Sequence, residues 1–171
     1  MDSSGDVFCR IARHEENAHV IYEDECVMAI LDLYPASRGQ TLLLPKAHFT
    51  WFYEMPDELV AHFYGLVNRL GLATMKAFEP KSIIVLARGL RVPHYHFIMI
   101  PTHGDDFMSR LFGFVDAFQG FPPVPDGIIE ERLESLRMSA FSRETASRDL
   151  EEGKALLVEA LKEVLSERPL L

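Results

Sequence analysis

Val92-Pro-His-Tyr-His-Phe-Ile-Met-Ile-Pro101 is the stretch whose reading decides the fold. Side chains of a strand repeat every two residues, so a strand here sets His94, His96, Ile98 and Ile100 on one face and Tyr95, Phe97 and Met99 on the other. The two imidazoles then lie side by side, with Cβ atoms roughly 7 Å apart. Such a pair suits a nucleophile with a supporting partner, or two ligands of one metal.

Upstream of this stretch, Val20-Ile-Tyr22 and Cys26-Val-Met-Ala-Ile-Leu31 read as strands joined by the acidic turn Glu23-Asp-Glu25. Tyr34-Pro-Ala-Ser-Arg-Gly39 is loop chemistry, and Gln40-Thr-Leu-Leu-Leu44 is a third strand stopped by Pro45. Pro56-Asp-Glu opens a helix, since proline fits a first turn and two carboxylates suit the positive end of its dipole. Leu59, Phe63, Leu66, Val67 and Leu70 recur at helical spacing until Pro80 ends the segment. Ser82-Ile-Ile-Val-Leu86 precedes the histidine strand. The order β-β-β-α-β-β predicts an α+β fold, an antiparallel sheet covered by one main helix.

Beyond Pro101 the character changes. Phe107 to Phe121 is aromatic and apolar, Pro122-Pro-Val-Pro125 is a stiff break, and helical stretches follow near 127–141 and 147–166. In the second of these, Leu150, Leu157, Leu161, Val164 and Leu165 form a stripe among Glu, Lys and Arg. We therefore expect a domain over residues 1–104 and a helical extension over 105–171, packed on that domain or across a dimer.

Composition narrows the function classes. Of 171 residues, 48% are hydrophobic and 25% charged, an ordinary globular balance. No apolar run approaches the ~20 residues of a membrane span, and Met1-Asp-Ser-Ser-Gly-Asp6 lacks the basic and apolar regions of a signal peptide. A cytoplasmic protein without a membrane partner is expected. Cys9 and Cys26 fit no Cys-x-x-Cys or zinc-ligand spacing, so they read as reduced thiols. The net charge of −9 argues against non-specific nucleic-acid binding. That charge is uneven: residues 1–101 carry nine basic and twelve acidic side chains, and residues 102–171 carry eight and fourteen. Phosphate binding in the less acidic first part stays open.

Ahead of the histidines stand Phe8-Cys-Arg-Ile11, Asp32-Leu-Tyr-Pro35 and Gly39-Gln-Thr-Leu-Leu-Leu-Pro-Lys-Ala-His48. In this order, with the His-x-His strand, they resemble the histidine triad (HIT) superfamily of nucleotide hydrolases and transferases, from about residue 7 to residue 104. The resemblance implies an α+β homodimer that binds a nucleotide, with a purine base, and needs no cofactor and no metal. It makes His96 the nucleophile that attacks an α-phosphorus, forming a nucleotidyl-histidine that water or another acceptor resolves. Such an attack needs a neutral imidazole with one nitrogen unprotonated. His94 matches the first histidine, placed to shape the pocket and orient the nucleophile. Asp32 matches the acidic residue that holds the ribose hydroxyls. Phe8, Ile11 and Ile30 are candidates to enclose the base, and Gly89 fits the glycine of the phosphate loop.

The sequence departs from the family pattern at several points. Ile98 occupies the third triad position, and Gln40 stands where many relatives carry a histidine. We read the two changes as one altered subsite near the leaving group. Leu90 and Arg91 replace the usual hydrogen-bonding pair of the phosphate loop. Arg91 is a candidate to compensate, because a guanidinium suits phosphate, and Arg88 lies close in sequence. His103 is a candidate for the missing acid, although for it and the arginines the plainer reading is a solvated surface residue. His48 reads as a structural hydrogen-bonder, and His14, His19 and His62 as uninvolved.

Two functions follow. One is a HIT-type hydrolase or nucleotidyl transferase acting at the α-phosphate of a nucleoside phosphoramidate or polyphosphate. The other is a catalytically impaired HIT-fold module that binds a nucleotide or a protein. A metal site built on His94 and His96 would leave the flanking motifs idle.

Overall fold

Val27–Leu31 is buried at every residue, and a strand in that condition must carry a layer on each face. The computed structural model, which describes residues 5–87, 91–104, 106–119, 127, 130–131, 133–134 and 150–170, shows both layers. Five strands form the sheet: β1 (Val20–Glu23), β2 (Val27–Leu31), β3 (Thr41–Pro45), β4 (Ser82–Ala87) and β5 (Phe97–Thr102). Their spatial order is β1-β2-β3-β5-β4, with every neighbouring pair antiparallel. The α+β architecture expected from the sequence is thus the one observed.

Alternation sorts the side chains onto the two faces. Ala29, Leu31, Leu43, Tyr95, Phe97 and Met99 pack with α2 (Asp57–Phe78), through Phe63, Leu66, Leu70 and Ala73. A second helix shares this face. The segment Leu150–Glu167 contributes Leu157, Ala160, Leu161 and Val164 to the same cluster, so a helix of the C-terminal extension joins the main helix on this face. On the opposite face Met28, Ile30, Leu42 and Leu44 pack with Phe8, Ile11 and Ala12 of α1 (Val7–Ala12). The long helix starts after Pro56, whose missing N–H costs nothing there, and ends at Glu79, which takes a left-handed φ of 46°. Phe107–Gln119 is helical, the aromatic stretch seen in the sequence, and we label it α3 and Leu150–Glu167 α4. The proline break at 122–125, most of 127–141 and the phosphate-loop candidates Arg88, Gly89 and Leu90 lie outside the described residues. Among the described residues, no helix is long and apolar enough to cross a membrane.

One local reading needs correction. The histidine strand was expected to begin at Val92, but β5 begins at Phe97. Pro93 has no N–H for a ladder, and the Tyr95 N–H donates to the carbonyl of Phe49 at 2.6 Å, so this segment is tied to a loop and not to a strand. The alternation nonetheless persists, with Tyr95 in the α2 core and His96 opposite. Val7–Ala12 had no strong pattern and is a short helix, capped by Asp6, whose carboxylate accepts from the Cys9 N–H at 2.9 Å.

Asp24, at the β1–β2 turn, anchors the hairpin to α2. Its Oδ1 accepts from the N–H groups of Cys26 and Val27 at 2.8 and 2.9 Å. Its Oδ2 accepts from the Tyr22 hydroxyl at 2.8 Å and from His62 Nε2 at 2.7 Å. Burial alone would raise its pKa, but these four bonds outweigh it and hold the carboxyl below its ordinary value. We expect Asp24→Asn to cost about 1–3 kcal/mol at neutral pH, measured by urea unfolding. Because the folded pKa is depressed, this stabilisation is complete above the unfolded value near 3.8 and fades as pH falls through the folded one. The gap between the native protein and the variant should therefore narrow at about pH 3.

Candidate active site

A cavity of about 560 Å³ opens on the α1 side of the sheet. Phe8, Ile11, Ile30, Asp32, Arg91 and His96, six of the residues singled out from the sequence, all line it. They come from four places in the chain, joined because β2, β3 and β5 are neighbours and α1 lies across them.

His96 precedes β5 and is largely buried, with the Phe8 ring centroid 4.8 Å from its own. Its Nδ1 lies 2.8 Å from the carbonyl oxygen of His94. A carbonyl only accepts, so Nδ1 carries the proton and the lone pair of the neutral ring is on Nε2. That is the tautomer a nucleophilic imidazole requires.

Asp32 leaves the end of β2 into the loop to β3. Its Oδ1 accepts from the Tyr34 N–H at 2.9 Å and its Oδ2 from the Gln40 amide at 2.5 Å. Gln40 is buried, and its own carbonyl accepts from the Ala36 N–H at 2.8 Å. One side chain therefore closes the loop and aims the carboxylate. The sequence marked Gln40 only as a replacement near a leaving group; the structure shows it holding Asp32. Two of the carboxylate's roughly four lone-pair sites are used, which leaves capacity for a pair of vicinal hydroxyls. Gly39 lets the loop close with φ 83°, a left-handed value, and its lack of a Cβ makes room for the Phe78 ring.

Arg91 is exposed at the cavity edge and has no hydrogen-bond or ion-pair partner among the described residues. Asn17, Tyr34, Val92 and Leu42 also line the cavity and carried no signal in the sequence beyond their proximity to the motifs. His103 is not among the lining residues; its N–H donates to Asp106.

The ring of His94 also lies elsewhere. It is fully buried, its Nε2 donates to the Pro45 carbonyl at 2.8 Å, and it meets Phe8 edge-on at 5.9 Å. The part of His94 that meets the His96 ring is its backbone carbonyl, while its Nδ1 faces a polar cluster of Asp6, Cys9 and His48. That cluster was invisible in the sequence. Ligating atoms of Asp6, Cys9, His48 and His94 all lie within 4.8 Å of one another. A carboxylate, a thiol and two imidazoles form a donor set that zinc accepts, and the His94–Pro45 bond is the kind of outer contact that orients a ligand. A metal here would use His94 with His48, not with His96 as the sequence pairing suggested.

Comparison with known proteins bears on the family and the fold. The family model described as HIT domain matches residues 13–105. An uncharacterised HIT-like protein of Methanocaldococcus jannaschii is 36% identical over 113 residues, covering 64% of this chain and 88% of that protein. The adenylylsulfatase HINT3 of Arabidopsis thaliana is 35% identical over 105 residues, 58% of this chain and 53% of its own length. The adenosine 5′-monophosphoramidase hnt1 of Schizosaccharomyces pombe is 30% identical over 127 residues, 71% of this chain and 89% of its own. A crystal structure of a histidine triad nucleotide-binding protein from Sulfolobus tokodaii superposes with a TM-score of 0.63 at 25% identity, over 94% of this chain and 95% of that one.

The state of Cys9 gives a direct check on the buried cluster. Burial, the Cys9 thiol's bond to Asp6 at 2.8 Å and the charge of Asp6 push the thiol up to about 12. Asp6 moves the other way. Burial would raise it, but the Cys9 thiol and N–H, the nearby His94 and the His48 Nδ1–H at 3.0 Å bring it to about 2. The thiolate is the reactive form, so Cys9 should be inert. Native protein treated with iodoacetamide at about pH 8 should be alkylated at the exposed Cys26 at least about 100-fold faster than at Cys9, read by peptide mass spectrometry.

Proposed function

This chain belongs to the HIT domain family, and from that premise we propose that it is a nucleotide hydrolase or nucleotidyl transferase acting at the α-phosphate of a nucleoside phosphoramidate or polyphosphate. The observation that carries the reading is the His96 tautomer, a lone pair on Nε2 in a ring that lines the cavity. Two relatives are named for nucleotide hydrolysis, an adenylylsulfatase and an adenosine 5′-monophosphoramidase, which supports the class of reaction.

In this reading Phe8, Ile11 and Ile30 enclose a purine base, Asp32 accepts from the ribose hydroxyls, and Arg91, with Gly89 of the adjoining segment, attends the phosphate. His96 Nε2 attacks the α-phosphorus and the leaving group departs. Water or another acceptor then cleaves the nucleotidyl-histidine and restores the ring. Through its carbonyl bond to Nδ1–H, His94 fixes the ring's tautomer and offsets the positive charge that the ring acquires when Nε2 bonds to phosphorus.

The second part of the proposal is a homodimer. Among the described residues β4 pairs only with β5, so its outer edge has no strand beside it there, and Val85 on it is 51% exposed. One exposed aromatic ring lies near it, Tyr64, which packs against Phe97, the partner of Ala87 in β4; Trp51, which stacks on Tyr53, and Phe52, which packs against Tyr95, are further exposed rings. A second copy of this chain would cover both the edge and Tyr64.

Incubation with an adenosine 5′-phosphoryl substrate should leave a nucleotide on His96 that mass spectrometry detects after an acid-free quench. His96→Ala should lower kcat at least about 1,000-fold. Turnover by that variant equal to the native protein's would leave only a binding module. Asp32→Asn should raise KM roughly 10-fold with a smaller change in kcat, since it weakens a grip on the ribose and not the attack. Light scattering should give twice the chain mass, and Val85→Lys should shift it toward one.

A further inference from the structure

Among the described residues, the lining of the cavity contains a nucleophile but no acid to serve it. All seven histidines lie among the described residues, and of these only His96 lines the cavity, with its one proton held by the His94 carbonyl. Asp32 is occupied as an acceptor, taking bonds from Tyr34 and Gln40. Arg91 offers a guanidinium, which donates hydrogen bonds and is no general acid, and the Tyr34 side chain stands in solvent, 90% exposed. The residues just before Arg91 are Arg88, Gly89 and Leu90, none of which gives up a proton near neutrality. The next side chain on the nucleophile's face is Ile98, which pairs with Leu42 in β3, and both are aliphatic walls of the same cavity. A fixed cation and no proton donor is a combination that discriminates between leaving groups.

Resting on the reaction assigned above, we propose that the cavity selects nucleoside 5′-phosphoryl anhydrides whose leaving group departs as a stable anion, sulfate or a phosphate chain, that Arg91 receives that anion, and that Ile98 excludes amine leaving groups. The steps balance without an acid. His96 Nε2 forms a bond to the α-phosphorus while the bridging P–O bond breaks, and its electron pair stays on the departing oxygen. A phosphosulfate thus releases sulfate dianion, and the ring, still protonated on Nδ1, carries the positive charge of the adduct. Water then attacks phosphorus, the P–N pair returns to Nε2, and the water proton passes to solvent. An alkyl phosphoramidate takes the same first step only if its nitrogen gains a proton, because an amide anion is far too basic to leave. The cavity offers none.

Three adenosine derivatives that share base, ribose and α-phosphate separate the possibilities: adenosine 5′-phosphosulfate, ATP and adenosine 5′-ethylphosphoramidate. General-acid help is worth about 10²–10⁴-fold, so the native protein should favour the better of the two anhydrides over the phosphoramidate by at least about 100-fold in kcat/KM. The ratio between the two anhydrides tells whether sulfate or a phosphate chain is the anion served. Arg91→Ala should lower turnover of all three substrates, and that of the anhydrides at least about 10-fold more than that of the phosphoramidate. Ile98→His should raise phosphoramidate turnover at least about 10-fold with little effect on the anhydrides. The proposal is overturned by a phosphoramidate preference in the native protein, or by an Arg91→Ala loss equal across all three. Should Ile98→His fail to fold, the native ratios and the Arg91 variant still decide. A nucleotide trapped on His96 alongside the wrong preference would sink the selectivity alone; no adduct and no turnover of any substrate would sink the underlying reaction as well.

Discussion

The register of β5 is the constraint on which the rest of this structure depends. Thr41, Leu42 and Leu43 of β3 face Met99, Ile98 and Phe97, and β4 fixes the same strand from its other side. Both faces are buried, one under α2 and α4 and the other under α1, so a slip by one residue would drive Tyr95, Phe97 and Met99 out of the larger core. It would also exchange Tyr95 for His96 at the cavity. Packing and chemistry therefore share one alignment. The energy that keeps aromatic rings against α2 is also what holds an imidazole beneath the Phe8 ring.

Around the His96 imidazole the described residues supply acceptors and anchors. Backbone and amide groups hold Asp32 from two sides, so its carboxylate is already oriented. The His94 carbonyl does the same for His96. Groups fixed in this way need not turn to meet a ligand. The wall beside the imidazole is aliphatic instead, formed by Ile98 and Leu42.

The buried cluster of Asp6, Cys9, His48 and His94 anchors α1, whose Phe8 and Ile11 line the cavity. Asp6 caps α1, accepts from the Cys9 thiol and from His48, and approaches His94, so one carboxylate ties the N-terminal helix to the end of β3 and to the segment before β5. The opposite face is steadied by α4. Its acidic first turn reaches the sheet, Glu151 pairing with His19 and Glu152 with Arg38, which also lies over the Phe78 ring. Exposed pairs of this kind contribute little each, and the apolar stripe under them does most of the holding.

Much of this was legible in the chain because its signals are local. The apolar run Cys26–Leu31, the alternation in Val92–Pro101, the helical repeat from Leu59 to Leu70 and the punctuation at Pro45, Pro56 and Pro80 are carried by neighbours in sequence, and they determined the sheet, the long helix and the face on which His96 stands. The ordered motifs around Asp32, Gly39 and His48 determined the family. What only the tertiary structure decided are contacts between distant residues with no period to announce them. Cys9 meets His94 across 85 positions and His48 meets Asp6 across 42. Gln40 proved to serve Asp32, and the ring of His94 proved to serve Pro45 and the buried cluster while its carbonyl serves His96. A side chain's type and spacing say which face it occupies; which of several polar partners it meets depends on how the faces are brought together, and that is settled by burial across the whole fold.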